Sequence, residues 1–179
     1  TTGPPKGVPL THDNLVFQLR SLIEAHLIEP GSRVLMPLPL HHVYPFVIGL
    51  LAPVALGLTI ILPHLLTGPE LVRAIHDGKA TVIIGVPRLY EALLAGIQDQ
   101  VAARGRIAAL AFAAALRVSG GIRSTTGLCA GRWLLSPLHK RIGRSLRFVA
   151  CGGAALDAGL AWRLEALGWM VNTGYGLTE

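Results

Sequence analysis

Apolar residues recur along this chain in two rhythms that alternate. Leu15, Leu19, Leu22 and Ile23 return at helical spacing after Thr11-His12-Asp13-Asn14, which supplies the residue types that cap a helix start. Glu29-Pro30-Gly31-Ser32 is a turn, and Arg33–Leu38 is a short apolar strand. From Val34 to Pro69 there is no Lys, Arg, Asp or Glu. Val43–Pro63 within it is long enough to cross a bilayer. Pro45, Pro53, Pro63, Gly49 and Gly57 interrupt it, however, so it divides better into a buried helix from Tyr44 to Leu56 and a buried strand Leu58–Leu62. A helix opens at Thr67-Gly68-Pro69-Glu70 and runs to Asp77. Ala80–Val86 is a buried, β-branched strand. Pro87 begins a helix carrying Leu89, Leu93, Leu94 and Ile97. An Ala-rich helix follows over Ile107–Val118, expected to break at Gly120-Gly121. A basic helical stretch covers Gly127–Ile142. Leu146–Ala150 reads as a strand, Asp157–Leu167 as a helix and Trp169–Asn172 as a strand.

Strands separated by helices predict an α/β fold, a mostly parallel sheet flanked by helices. A chain of 179 residues suffices for one domain, and 51% hydrophobic content with 15% charged residues is the opposite of a disordered composition. The net charge of +6 is unevenly placed: from Gln100 to Leu156 every residue is neutral or basic. Such a block fits an anionic partner, either a phosphorylated cofactor or lipid head groups, and equally a solvated basic face. Only Phe112, Trp133 and Phe148 lie among the cations, so nucleic acid is the weaker branch and is not expected. Cys129 and Cys151 form neither a disulfide framework nor a zinc site, in keeping with a cytoplasmic protein. The histidines show no metal spacing, and Ser119 and Ser136 lack a nucleophile-elbow context.

In open parallel sheets, ligands bind at the carboxyl ends of the strands. Three loops carry chemistry. Thr1-Thr2-Gly3-Pro4-Pro5-Lys6-Gly7 combines hydroxyls, glycine and an ammonium, the groups a polyphosphate needs, although it is not a Walker A loop and also fits a surface turn. Cys151-Gly152-Gly153-Ala154-Ala155 follows a strand, where paired glycines admit a flat ligand or simply make a turn. Tyr175-Gly176-Leu177-Thr178-Glu179 follows the last strand and brings a stacking ring, a hydroxyl and a carboxylate able to hold magnesium; its alternative is a capped helix start.

Taken in this order, the loops resemble those of the acyl-adenylate-forming (AMP-binding) superfamily. Residues Thr1 to Val8 resemble the distal part of its phosphate loop. Gly152-Gly153-Ala154 resembles the adenine-side Gly-Gly-Ala, and Tyr175-Gly176-Leu177-Thr178-Glu179 matches its Tyr-Gly-x-Thr-Glu signature. Pro37-Leu38-Pro39-Leu40-His41-His42 looks like the segment that brings a histidine to the acyl site, with His42 the better fit. Gly85 to Glu91 also looks like a family segment. The stretch between the Pro87 helix and the Leu146 strand looks most like that of long-chain fatty acyl-CoA ligases.

The resemblance implies ATP, Mg²⁺ and coenzyme A as cofactor and co-substrates, and a fatty acid as substrate. Thr1, Thr2, Gly3 and Lys6 would hold the β- and γ-phosphates. Gly152, Gly153, Ala154, Tyr175 and Gly176 would hold adenine. Thr178 would contact the α-phosphate, Glu179 would bind the metal, and Lys6, Thr178 and Glu179 would serve catalysis. His42 would line the acyl site. With a phosphate loop at residue 1 and a signature ending at residue 179, the chain is expected to be an internal part of the large domain of a longer enzyme, inactive alone and joined to the rest of its parent chain. A fatty acyl-AMP ligase that loads a carrier protein, and a non-catalytic nucleotide- or membrane-binding remnant, are the alternatives. Peripheral contact with an anionic membrane fits the basic block.

Overall fold

The structure is a computed structural model and describes residues 7–26 and 28–176. Five parallel strands form one sheet in the order β2-β1-β3-β4-β5: β1 Arg33–Leu35, β2 Thr59–Ile61, β3 Val82–Gly85, β4 Phe148–Cys151 and β5 Met170–Thr173. The chain steps from β1 outward to β2, then reverses past β1 to β3 and continues to β5. A right-handed crossover puts the first connection on one face of the sheet and all later ones on the other. The helices obey this. A π-helical segment (Pro45–Leu51) running into α2 (Ala52–Ala55) covers the first face. On the second lie α3 (Gly68–Gly78), α4 (Pro87–Ala102), α5 (Arg106–Thr126), α6 (Gly131–Leu134), α7 (Ser136–Ile142) and α8 (Ala158–Ala166). The reversal places the topological switch between β1 and β3, where open sheets hold their ligands.

Strand alternation sorts the core. Leu35, Ile83, Val149 and Cys151 face the α3–α8 layer and join Leu71, Ile75, Tyr90, Leu93 and Trp169 in the larger cluster. Val34, Val82 and Ile84 face the other way, against Tyr44, Ile48 and Leu58. Two glycines set the spacing of α3 and α4: a Cβ on Gly96 would lie 3.0 Å from the Cα of Gly68, so the two backbones touch.

Several local expectations change. β1 ends at Leu35, since Pro37 cannot donate to a ladder. The apolar stretch from Val43 is not a span: its helix is only Pro45–Ala55, and Gly57 (φ 65°) reverses the chain into β2. Gly120-Gly121 does not break α5, which runs on to Thr126 and stops at Gly127 in the left-handed region (φ 74°). Gly120 lies against α8, where its missing Cβ would meet that of Ala166 at 3.7 Å. The hydroxyls of Thr125 and Thr126 bond back to Gly121 and Ile122 carbonyls at 2.9 and 2.7 Å. Packing and capping together offset a helix-propensity cost of about 1 kcal/mol per glycine. The basic stretch after it is two short helices with Leu135 between them, ahead of Pro137 in the first turn of α7.

α1 (His12–Glu24) starts as its sequence requires, with the Thr11 hydroxyl accepting from Asn14 N at 3.2 Å and Asn14 Oδ1 accepting from Thr11 N at 3.0 Å. Asp157 caps α8 by accepting from Leu160 N at 2.9 Å.

Candidate active site at the carboxyl ends of the strands

Pairing carries the two nucleotide-type segments to one edge. Cys151 lies opposite Thr173 in the β4–β5 register, so Gly152-Gly153-Ala154 and Gly174-Tyr175-Gly176 leave the sheet side by side. The ladder extends past the strand ends through Gly152 N to Gly85 O (3.1 Å) and Gly174 N to Cys151 O (2.8 Å). Beyond those bonds Gly153, Ala154, Tyr175 and Gly176 are exposed, and the Tyr175 ring is 92% accessible. A backbone edge with small residues and a free aromatic plane is what a purine base needs.

The two glycines divide their work. Gly153 has φ 76°, a conformation that favours glycine. Gly152 is required by a neighbour, because a Cβ there would lie 2.7 Å from Tyr44 Cε2. The Tyr44 ring therefore packs on the side of Gly152 that a Cβ would occupy. Its hydroxyl lies 3.3 Å from Gly85 O and 3.2 Å from Ala150 O, sharing one proton between the ends of β3 and β4. From the opposite face Tyr90 donates to the same Ala150 carbonyl at 2.5 Å. Two tyrosines thus clamp the strand ends from which the Gly-Gly loop departs. The sequence reading missed both roles; the available signal was an aromatic two positions after His42, facing a glycine with no turn to make.

Burial, followed by the proximity of Cys151, raises the Tyr44 phenol above its usual value. Tyr90 is raised by burial and then by Tyr44 and Cys151. Burial pushes the Cys151 thiol up to about 11. All three groups are neutral at pH 7, so none is a nucleophile or base here. The clamp is structural.

Beside it is a cavity of about 600 Å³ on the first face of the sheet, a size suited to a small molecule. Leu22 and Ile23 of α1, Tyr44 and Ile48, and Ile84 and Ala150 of the strands line it, so its walls are mainly apolar. His42 is exposed, its ring 4.2 Å from that of His41, and it is not among the residues lining this cavity. It stands two positions ahead of Tyr44, on the segment leaving β1 at the switch point. Thr1, Thr2, Gly3, Lys6, Thr178 and Glu179 lie outside the described residues.

Part of the basic block is explained by internal bonding. Arg123 meets Glu165 at 3.0 Å, and Arg132 donates to the Leu146 and Arg144 carbonyls, both at 2.8 Å. Among the described residues no cluster of three metal-ligating side chains occurs.

The sequence pattern of the AMP-binding enzymes matches residues 1–179. The chain belongs to the AMP-binding enzyme family. It is 34% identical to the long-chain-fatty-acid–CoA ligase FadD15 of Mycobacterium bovis, covering 100% of this chain and 31% of that protein. It is 31% identical to long-chain-fatty-acid–CoA ligase 2 of Schizosaccharomyces pombe, again over 100% of this chain but 27% of the relative. The chain thus spans under a third of the length of these curated relatives. Among solved structures, the inhibitor-bound N-terminal domain of FACL13 from Mycobacterium tuberculosis superposes with a TM-score of 0.68 at 20% identity, over 100% of this chain and 35% of that one. A malonyl-CoA ligase in ternary complex with methylmalonyl-CoA and AMP gives 0.65 at 27% identity, over 100% and 31%. These superpositions place the parallel, helix-flanked sheet found here in the fold of those ligase domains.

Proposed function

We propose that this segment is part of an enzyme that activates a long-chain fatty acid with ATP, forming acyl-AMP and pyrophosphate and then acyl-CoA. The observation that carries the reading is the β4–β5 register, which brings the Gly-Gly-Ala loop and the Tyr-Gly segment to one edge beside an apolar cavity. Family membership and the likeness to long-chain ligases support it. In this reading Tyr175 stacks on adenine, Gly152, Gly153 and Ala154 line its other side, and Gly176 keeps the approach open. The cavity receives the start of the acyl chain, with the His42 segment at its approach. The exposed backbone edge and free aromatic plane fit a nucleotide. Thr1, Thr2, Gly3 and Lys6 would hold phosphates, Thr178 the α-phosphate and Glu179 Mg²⁺. That ion would neutralise charge where two anions meet, the main electrostatic task of the reaction. CoA is the thiol acceptor.

The reading extends to cytoplasmic action with peripheral contact at an anionic membrane, for which the uneven basic charge of the chain is the motive. The test is carboxylate-dependent ATP–pyrophosphate exchange by the longest natural chain containing this segment, across short, medium and long fatty acids. Exchange that rises with chain length is expected, and Glu179→Gln should lose magnesium-dependent ATP binding. A folded protein showing no exchange with any carboxylate would overturn the reading.

A further inference from the structure

α5 is 21 residues long and apolar enough, by length and composition, to cross a membrane. It packs along one side against α4, α6 and α8, while 6% of its most apolar window is buried, so most of its surface is open. Phe112 and Ser119 are buried along it, and Arg123 pairs with Glu165 of α8. With 3.6 residues per turn, Phe112, Leu116, Ser119 and Arg123 share the attached side. Ile107, Leu110, Ala111, Ala114 and Val118 fall within an arc of about 100° on the opposite side. Ile107, Leu110 and Val118 are 85%, 70% and 53% exposed, so the stripe leaves large aliphatics together at the surface. Arg106 and Arg117 flank one margin of the stripe by the same geometry.

The stretch of chain around α5 carries charge of one sign. Arg123 and Arg132 are bonded internally, whereas Arg104, Arg106, Arg117, Lys140, Arg141, Arg144 and Arg147 are exposed. No acidic residue occurs between Gln100 and Leu156. Among the described residues none of these seven exposed cations forms an ion pair. Ala111 of the stripe also lines a groove of about 210 Å³, whose wall includes Phe112, Leu138, Arg104 and Arg141. A helix with an apolar stripe, flanking cations and its other side packed on the domain has the design of an interfacial helix lying flat in head groups.

We propose that α5 is the docking face for an anionic lipid surface, its stripe at the acyl boundary and its arginines at the phosphates. This deepens the peripheral-membrane part of the function proposed above. Charge complementarity selects lipid phosphate as the occupant: a partner protein would need a long apolar face fringed with carboxylates.

The experiment uses the longest natural chain containing this segment and sedimentation with vesicles of phosphatidylcholine alone or with 30% phosphatidylglycerol. The parent chain is expected to bind the anionic vesicles, and Ile107→Ser/Leu110→Ser/Val118→Ser to bind them at least tenfold more weakly. Arg106→Gln/Arg117→Gln should weaken binding to the anionic vesicles only, by about fivefold per arginine. In a Cys129→Ser background, a polarity-sensitive dye on Leu110→Cys should shift to the blue when those vesicles are added. Unchanged binding by the triple variant would overturn the proposal, as would a Leu110→Cys that resists labelling because other parts of the parent chain, or a bound protein, cover it. Exchange measured without lipid on a short, water-soluble fatty acid separates the two readings. The triple variant should retain that exchange. A parent chain that binds vesicles through α5 but shows no exchange would sink the ligase assignment and leave the docking face standing.

Discussion

The contact between Gly152 and Tyr44 supports a quantitative prediction. Replacing Gly152 by Ala puts a carbon 2.7 Å from Tyr44 Cε2 and 2.8 Å from Cζ, where comfortable carbon contacts are about 3.5–4.0 Å. The ring has to retreat by close to 1 Å. It cannot do so while its hydroxyl stays on Gly85 O and Ala150 O. Overpacking costs about 1–3 kcal/mol, and losing the shared hydrogen bond adds about 1 kcal/mol, so Gly152→Ala should destabilise the β3–β4 edge by about 2–4 kcal/mol. Tyr44→Ala is also destabilising, but it removes the obstacle. In that background Gly152→Ala should cost almost nothing, since φ at 152 is not in the left-handed region. The double variant should therefore be less unstable than the sum of the singles by about 2–3 kcal/mol. Hydrogen exchange of the β3 and β4 amides in the four variants of the parent chain measures this. Additivity within about 0.5 kcal/mol would show that Gly152 is not required by Tyr44.

Three further outcomes are expected. Burial holds the His139 imidazole below its ordinary value; its hydrogen bond to Leu167 O opposes this and Arg132 adds to it. The unfolded chain then binds the proton more tightly, so stability is complete above about pH 6.5 and falls as pH drops below it, by at most about 1.4 kcal/mol per unit. Denaturant midpoints from pH 5 to 8 should show His139→Gln losing that part of the slope. Gly96→Val, whose Cβ would meet Gly68 at 3.0 Å, should separate α3 from α4 at a cost of about 3 kcal/mol, read as a lowered thermal midpoint. Exposed Cys129 should react with a thiol reagent in the native protein, while Cys151, 2% exposed and pushed up to about 11, should react only on unfolding; equal rates would refute the burial of β4.

The centre of the parallel sheet was legible because β3 is buried on both faces and reads as an unbroken β-branched run, Val82–Ile84 between Thr81 and Gly85. Helix starts were legible where a side chain closes the first turn, as Thr11 and Asp157 do. Stops were harder. Gly120-Gly121 has the composition of a break, yet α8 lies against it and the threonines after it bond backward. The true stop at Gly127 depends on a left-handed backbone that composition shows only weakly. The π-helical turns of Pro45–Leu51 carry no signal that separates them from an ordinary apolar helix.

The site divides along a similar line. The segments proposed to meet ligand are short, contiguous and chemically distinctive, and strand pairing alone puts two of them side by side: once β4 and β5 align Cys151 with Thr173, Gly152 and Gly174 cannot be far apart. What fixes their position is noncontiguous. Tyr44 is 106 residues from Ala150 and 41 from Gly85 in sequence, yet its one hydroxyl joins both. No local pattern encodes such a contact, and its trace in the sequence is a glycine that has no turn to make. This also relates the His41-His42 segment to the nucleotide edge. The histidines are exposed and His42 is two residues from the tyrosine that holds the Gly-Gly loop, so under the proposed function a movement of that segment on acyl binding would be passed through Tyr44 to the proposed adenine side. The coupling needs no contact between the two ligands; it needs only that Tyr44 cannot shift without moving Gly152.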